Sequence, residues 1–292
     1  MLQRDLPSWR SLMFCPANMP RFIAKAHTRG ADAIILDLED SVPDSEKATA
    51  RQAIAEAARM VGQAGADVCV RINRPLELAV EDIAAAVVPG VAALVLPKVA
   101  GPEHIQLLSE VIANYEVKAG IPLGHIKLIA LVETAAALPK LGDIARADPR
   151  MVALAVGGED LATDLDAEPS ADSLYVAKML GVHAARAAGI LPLGVLASVA
   201  NIDRIDEYRA MLTRSRALGF ACATCVHPTH VPLLNEIYGP NPAAVERARR
   251  MIDAFEAAEA RGEGAVSFDG MMVDRPVADR ARRLVARAQS LL

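Results

Sequence analysis

Ala33-Ile34-Ile35-Leu36-Asp37-Leu38-Glu39-Asp40 decides the fold. Residues 33–38 form a nearly continuous apolar run interrupted only by Asp37, and charged residues follow at once. Such a run fits a strand covered on both faces, as in parallel sheets, better than a half-exposed strand that alternates. A helix-compatible segment comes next. Ser45 is placed to cap it, Glu46, Lys47, Arg51 and Ile54 continue it, and Gly62 and Gly65 stop it. A new apolar run, residues 68–72, then begins. Strand, helix and strand joined by short turns form a crossover unit, which implies parallel pairing.

The same alternation extends in both directions. Residues 12–15 precede the unit, and residues 92–96, 127–132, 152–156, 191–196 and 221–226 follow it. Eight strand-like runs separated by helical stretches predict an α/β protein, a (β/α)8 TIM barrel, with a doubly wound open sheet as the alternative. The 292 residues suit a barrel, for which roughly 250 are typical. Closure near residue 240 divides the chain into a barrel domain, 1–240, and a C-terminal helical lid extension, 241–292. Asn241-Pro242 opens a long helix to about Arg261, with Glu246 and Arg250 as an i,i+4 pair. Gly262, Gly264, Asp269 and Gly270 predict a turn-rich linker before a basic helix over residues 277–291.

The chain is 53% hydrophobic and 23% charged with a net charge of −5, and it lacks the basic blocks that phosphate-backbone binding requires. Nucleic acid is therefore not the expected partner. The longest apolar stretch, residues 83–97, is broken by Pro89-Gly90 and is shorter than the roughly 20 residues that span a bilayer. Arg4, Asp5 and Arg10 around Trp9 leave no continuous apolar secretory region, so the expectation is a cytoplasmic protein that does not engage a membrane. Cys15, Cys69, Cys222 and Cys225 are few and mostly within strand runs, which predicts reduced thiols.

In a barrel the chemistry sits at the C-terminal strand ends. Strand two ends in Asp37-Leu38-Glu39-Asp40, strand three in Arg71-Ile72-Asn73-Arg74, strand four in Pro97-Lys98, strand five in Glu133-Thr134, and strand six in Gly157-Gly158-Glu159-Asp160. Taken singly, each charged residue is a helix cap or a solvated loop residue. Five consecutive strands delivering charge to one rim suggest a site. Carboxylates from the neighbouring strands five and six suit Mg²⁺, which takes one or two protein carboxylates and keeps positions for water and substrate oxygens. A facing Arg71 could stabilise an oxyanion. The chain has no P-loop, no G-x-G-x-x-G after a strand, no H-E-x-x-H and no G-x-S-x-G elbow. Cys222, Cys225, His227 and His230 superficially offer zinc ligands, but cysteines an odd number of positions apart on a strand point to opposite faces.

Taken in order, the strings Arg10-Ser-Leu-Met-Phe-Cys-Pro16, Leu36-Asp-Leu-Glu-Asp40-Ser-Val-Pro43 with Lys47 and Arg51, Val70-Arg71-Ile-Asn73, Leu96-Pro-Lys98, Val132-Glu133-Thr134, Gly157-Gly-Glu-Asp160-Leu161, His227-Pro228 and Asp269-Gly-Met-Met-Val-Asp274 carry a resemblance. Together they resemble the citrate lyase beta subunit and malyl-CoA lyase-like family of the HpcH/HpaI aldolase superfamily. The resemblance implies a Mg²⁺-dependent carbon–carbon lyase, with Mn²⁺ as a substitute, that cleaves or forms a β-hydroxyacyl-CoA thioester such as a malyl, citramalyl or citryl group. It implies Glu133 and Asp160 as metal ligands and Arg71, Asp274 and Asp40 as the catalytic set, with Asp274 an acid/base brought by a lid. Arg10, Arg21 and Lys25 would contact the nucleotide of CoA, which enters as part of the substrate. A homo-oligomer, trimer or hexamer, is implied. The sequence departs from the family at Ala221-Cys-Ala-Thr224 and at Gly194-Val195-Leu196, both on the substrate rim, which leaves the acyl group open. The alternatives are a malate-synthase-like condensing enzyme with a thioesterase step, a 2-keto acid aldolase that does not use CoA, and a non-catalytic barrel subunit.

Overall fold

The computed structural model describes residues 6–197 and 204–291. Among them, eight parallel strands form one sheet: β1 Ser11–Pro16, β2 Ala33–Asp37, β3 Asp67–Arg71, β4 Val91–Leu96, β5 Lys127–Val132, β6 Met151–Val156, β7 Leu191–Leu193 and β8 Ala223–Cys225. Each of the first seven pairs with the next except that β7 meets β8 only at the isolated Leu193–Cys222 bridge, while β8 also pairs with β1. The barrel is therefore nearly closed. Two further hydrogen bonds complete that seam, Gly194 N to Cys222 O at 2.9 Å and Ala221 N to Pro192 O at 2.9 Å.

The last two strands are shorter than their apolar runs. Gly194 has φ +130°, outside strand conformation, and ends β7 although Val195 and Leu196 remain buried. The helices of this unit are α1 Pro20–Ala26, α2 Asp44–Gly62, α3 Leu76–Ala86, α4 Pro102–Ala119, α5 Leu141–Arg146, α6 Glu159–Asp164, α7 Ala171–Ala188 and α8 Ile205–Ala217, with α9 Val231–Tyr238 at its end. Ser45 does not cap α2: Pro43 holds the N-cap position with extended ψ and no side-chain bond, and Asp44 and Glu46 complement the helix dipole instead.

Leu12, Ala33, Ile35, Cys69, Val95, Ile129, Leu131, Ala153, Leu193 and Cys222 meet in the barrel core. This fixes the inward phase of each strand, and Asp37, Arg71 and Glu133 continue that phase at the C-terminal ends, two residues beyond Ile35, Cys69 and Leu131. Cys222 faces the barrel core whereas Cys225, three positions along, falls on the other face, so the two thiols do not converge. All four cysteines are free and buried.

The N-terminal ends of the strands carry a separate set of charges. Arg10, just before β1, grips Asp32, just before β2, through its backbone N–H at 2.6 Å and through Nε at 2.9 Å and Nη2 at 2.7 Å. Trp9 Nε1 donates to Asp67 at 2.7 Å. Glu116 of α4 is fully buried and accepts from both Arg150 Nη1 (2.7 Å) and Nη2 (2.6 Å) and from the N–H groups of Gly124 (2.9 Å) and Ile126 (2.8 Å).

A second compact unit begins at Glu236, inside α9. Asn241 caps α10, Pro242–Ala260, by accepting from Ala244 N, as the Asn-Pro signal implied. Glu246 pairs with Arg249 at 4.0 Å rather than with Arg250, whose guanidinium lies 6.0 Å from the Phe268 ring. The expected linker is a hairpin, β9 Ala265–Phe268 and β10 Met271–Asp274. Asp269 and Gly270 between them have φ +49° and +74°, the double left-handed conformation that two-residue hairpins require. Helix α11, Arg275–Gln289, follows, and Met251, Phe255, Val273, Ala278 and Ala281 form the core of this unit. Among the described residues no helix is long and apolar enough to cross a membrane.

Candidate active site

Arg71, the last residue of β3, organises the rim. Its Nε and Nη2 donate to Asp37 Oδ1 and Oδ2, both at 2.7 Å, in a bidentate pair between neighbouring strands. Nη1 lies 3.0 Å from Asp40 Oδ2 and 2.9 Å from Glu39 Oε2, the latter outside hydrogen-bond geometry and so purely electrostatic. The guanidinium also stands 4.9 Å from the Phe14 ring centroid. Ser41 donates its hydroxyl to Asp37. Burial alone would raise the Asp37 carboxyl, but the hydrogen bonds from Arg71 overcome it and hold that group below the usual range.

The loop bearing Glu39 and Asp40 is tied from behind. Lys47 Nζ donates to the carbonyls of Leu38 (3.0 Å) and Glu39 (2.8 Å), and Asn73 Nδ2 donates to Leu38 O at 2.9 Å and to the buried Asp82 at 2.7 Å. Glu39 is itself 6% exposed, and its burial pushes the carboxyl up to about 7 against the pull of Arg71 and Lys98. Asp40 is the solvent-facing member of the pair, its side chain half exposed.

Lys98 adopts φ +47°, a left-handed conformation that costs a non-glycine residue about 1 kcal/mol or more. That turn aims its backbone N–H at Glu133 Oε2, 2.9 Å away, while Nζ reaches Glu39 (2.8 Å), Asp40 (3.3 Å) and Asp160 (3.5 Å). One residue thus touches carboxylates from strands two, five and six. Glu133 is 6% exposed and lies over Gly157, where a Cβ would fall 2.5 Å from Glu133 Cγ. Glycine at 157 therefore makes room for the Glu133 side chain. Burial raises the Glu133 carboxyl, and the Asp160 charge raises it further.

Glu133 and Asp160 line one cavity of about 150 Å³ with Arg71, Phe14, Gly157, Glu159, Lys178, Gly194 and Thr224. Two carboxylates that repel each other, one buried and one open, fit a hard cation that keeps water and substrate oxygens in its remaining positions. Among the described residues no group of three or more His, Cys, Asp or Glu side chains is placed to hold one metal ion by itself, and a pair of carboxylates with open positions is a donor set that Mg²⁺ accepts. The structure thus gathers Arg71, Asp40, Glu133 and Asp160 at one rim.

The three basic residues expected at a nucleotide are not together. Arg21 and Lys25 of α1, joined by Arg29, line a second cavity of about 430 Å³ walled by Met13, Phe14, Phe22 and His227. Phe14 borders both cavities. Arg10 is a correction: it lies before β1, at the opposite end of the barrel from the rim, and Asp32 occupies it. Asp274 belongs to the second unit, where its Oδ1 accepts from Val277 N at 3.2 Å and caps α11.

Sequence reasoning gave no role to Glu39, Lys98, Arg29 or Lys178. The first two were visible within the strand-end strings. Lys178 carried a readable signal, being a lysine on the apolar face that Leu174, Ala177, Gly181 and Val182 form on α7. It is 4% exposed; burial lowers its ammonium to about 8, offset in part by Glu133 and Glu159.

Comparison with known proteins agrees with this geometry. The family model for HpcH/HpaI aldolase/citrate lyase matches residues 10–228. The citrate lyase subunit beta of Leuconostoc mesenteroides subsp. cremoris is 33% identical over 96% of this chain and 93% of its own length. A (3S)-malyl-CoA thioesterase of Cereibacter sphaeroides is 31% identical over 97% of this chain and 95% of its own. The crystal structure of the protein CitE from Mycobacterium tuberculosis, in complex with magnesium, acetoacetate and coenzyme A, superposes with a TM-score of 0.73 at 30% identity, covering 96% of this chain and 97% of that one.

Proposed function

The chain belongs to the HpcH/HpaI aldolase/citrate lyase family, and we propose that it is a Mg²⁺-dependent carbon–carbon lyase acting on a β-hydroxyacyl-CoA thioester of the malyl, citramalyl or citryl type. The observation that carries this reading is the convergence of Glu133, Asp160, Lys98 and Arg71 on one rim cavity. The magnesium and coenzyme A bound by the Mycobacterium tuberculosis protein support it. Magnesium held by Glu133 and Asp160 would polarise the oxygen of the carbonyl fragment.

The chain's own residues do the rest. Cleavage of a β-hydroxy thioester leaves an enolate and a keto acid, and the enolate oxygen needs a fixed positive charge. Arg71 is locked in place by Asp37 through Nε and Nη2, which leaves the Nη1 edge, now shared by Glu39 and the exposed Asp40, as the edge that turns to substrate. Asp40 gives way and Glu39 stays, its carboxyl near 7 able to hold a proton beside the site. The apolar wall and the three cations of the larger cavity, Arg21, Lys25 and Arg29, suit the nucleotide and its phosphates, with the thioester arm passing Phe14.

We assign Asp274 the acid/base role at the enolate carbon, acting in trans within a homo-oligomer, trimer or hexamer. Mixed assemblies of Glu133→Gln and Asp274→Asn subunits are expected to regain turnover that neither has alone; mixed assemblies without activity would remove Asp274 from the mechanism. Incubating the protein with acyl-CoA thioesters and Mg²⁺, and reading acyl-CoA, free CoA and keto acid by mass, tests the whole reading. A lyase releases a shorter acyl-CoA and a keto acid. Free CoA with an intact hydroxy acid instead would favour the second reading, a thioesterase, which the Cereibacter sphaeroides relative motivates.

A further inference from the structure

A row of alternating charges crosses the rim from the start of α6 to the end of β3. Asp160 Oδ1 lies 3.5 Å from Lys98 Nζ, Lys98 Nζ donates to Asp40 Oδ1 at 3.3 Å, and Asp40 Oδ2 accepts from Arg71 Nη1 at 3.0 Å. Asp40 thus gives one oxygen to each cation. Glu39 makes a parallel link, accepting from Lys98 Nζ at 2.8 Å through Oε1 and standing 2.9 Å from Arg71 Nη1 through Oε2. Lys98 therefore stands between a carboxylate of the metal site and the carboxylates that cover Arg71.

The members of the row differ in freedom. The contact with Asp160 is the longest that the ammonium makes. Glu39 is buried, and its loop is pinned by Lys47 and Asn73, whereas the Asp40 side chain is half exposed and able to swing. The main chain of Lys98 is fixed separately by its left-handed turn and by the N–H bond to Glu133 Oε2 at 2.9 Å. Its ammonium can consequently change partners without disturbing Glu133. When a divalent cation engages Asp160, the ammonium loses an attraction and meets a repulsion, and both drive it toward Asp40. Asp40 then answers Lys98 instead of Arg71, and the Nη1 edge opens to a thioester oxygen.

We propose that Lys98 is a positioning residue that couples occupancy of the Glu133–Asp160 site to the readiness of Arg71, so that the thioester is held more tightly once the divalent cation is in place. The inference rests on the lyase reading above and adds how the two halves of that site are brought into step. Such coupling is reciprocal, so the thioester also tightens the cation.

Calorimetric titration of the full chain with acetyl-CoA and with CoA, each with and without saturating Mn²⁺, tests it. Acetyl-CoA is the thioester that malyl, citramalyl and citryl cleavage all release; CoA lacks the thioester oxygen. In the wild type, Mn²⁺ should tighten acetyl-CoA binding roughly fivefold or more and change CoA binding by about twofold or less. In Lys98→Met the effect of Mn²⁺ on acetyl-CoA should fall to about twofold or less. Mn²⁺ itself should bind that variant at least as tightly as wild type, because a competing cation has left Asp160. Asp40→Ala acts from the other side: Arg71 is uncovered from the outset, and acetyl-CoA should bind without Mn²⁺ about as tightly as it binds wild type with Mn²⁺. Absence of wild-type coupling, or coupling that survives in Lys98→Met or Asp40→Ala, overturns the proposal. So does weakened Mn²⁺ binding in Lys98→Met, which would make Lys98 a structural tie alone. Wild-type protein that binds Mn²⁺ but neither acetyl-CoA nor CoA would sink the lyase reading itself, and the coupling with it.

Discussion

The two ends of the barrel are built from the same residue types and put them to opposite uses. At the N-terminal end each charge is answered: Asp32 by Arg10, Asp67 by Trp9, and the buried Glu116 by both arms of Arg150 and two backbone N–H groups. At the C-terminal end Asp37, Glu39, Asp40, Glu133 and Asp160 crowd around Arg71 and Lys98, and Glu39 Oε2 is buried without a hydrogen bond. An anion that is fully satisfied contributes to stability, and an excess of anions at a cavity waits for something that is not protein. The same barrel therefore separates holding together from doing chemistry by strand polarity alone.

The largest effect that can break this contrast is at the metal site. Glu133→Gln and Asp160→Asn should each lower turnover by more than the roughly 100-fold that outer-shell changes cost, with melting temperature unchanged or raised because a repulsion is relieved. Mn²⁺ affinity measured on the same preparations must fall in parallel; full activity with unchanged affinity would remove both residues from the metal.

Next in size is the opposite end. Arg150→Met leaves Glu116 buried and unpaired and should cost about 3–5 kcal/mol of stability in denaturant unfolding, with kcat/KM unaltered while the protein is folded. A loss of activity without loss of stability would dissolve the division between the ends.

Proton linkage gives a smaller effect of opposite sign at the two ends. Arg150 and the surrounding donors hold the Glu116 carboxyl below its ordinary 4.5, so its stabilisation is present above that value and is lost as pH falls from there through the lower folded value. The melting-temperature deficit of Glu116→Gln should shrink in acid. Glu39 is raised from 4.5 to about 7, so the wild type loses stability as pH rises across that interval, and Glu39→Gln should gain on it there. Parallel melting curves from pH 4 to 9 on both variants would show the crossing; matching signs would refute the environments assigned to these two carboxyls.

The smallest effect separates the basic residues. Arg10→Ala should cost on the order of 1 kcal/mol or less and leave the KM for a CoA thioester unchanged, whereas Arg21→Ala and Lys25→Ala should raise that KM. A raised KM in Arg10→Ala with melting temperature intact would restore Arg10 to the nucleotide site.

What could be read from the sequence followed strand periodicity. The continuous apolar runs located all eight strands, and the charged residues at their ends located the rim, because inward phase simply continues from Ile35 to Asp37, Cys69 to Arg71 and Leu131 to Glu133. Arg10 lies away from Arg21 and Lys25, and its string could not show this, because a short motif records neighbours along the chain and does not say which end of a strand a residue marks. The glycines of 262–270 read as a linker, whereas the structure makes 265–274 a hairpin, for which Asp269-Gly270 between β-prone pairs is the signal. The positive φ of Lys98, the space that Gly157 leaves for Glu133, and the near-neutral carboxyl of Glu39 depend on packing between strands, which no local pattern encodes.

The single bridge between β7 and β8 makes that seam the first place for the barrel to breathe. Amide hydrogen exchange should be fastest, within the sheet, at Gly194 and Ala221, whose bonds close it. Because Gly194 and Thr224 also form the neutral wall of the rim cavity, local opening there would widen that cavity on the side away from the carboxylates of strands two and five.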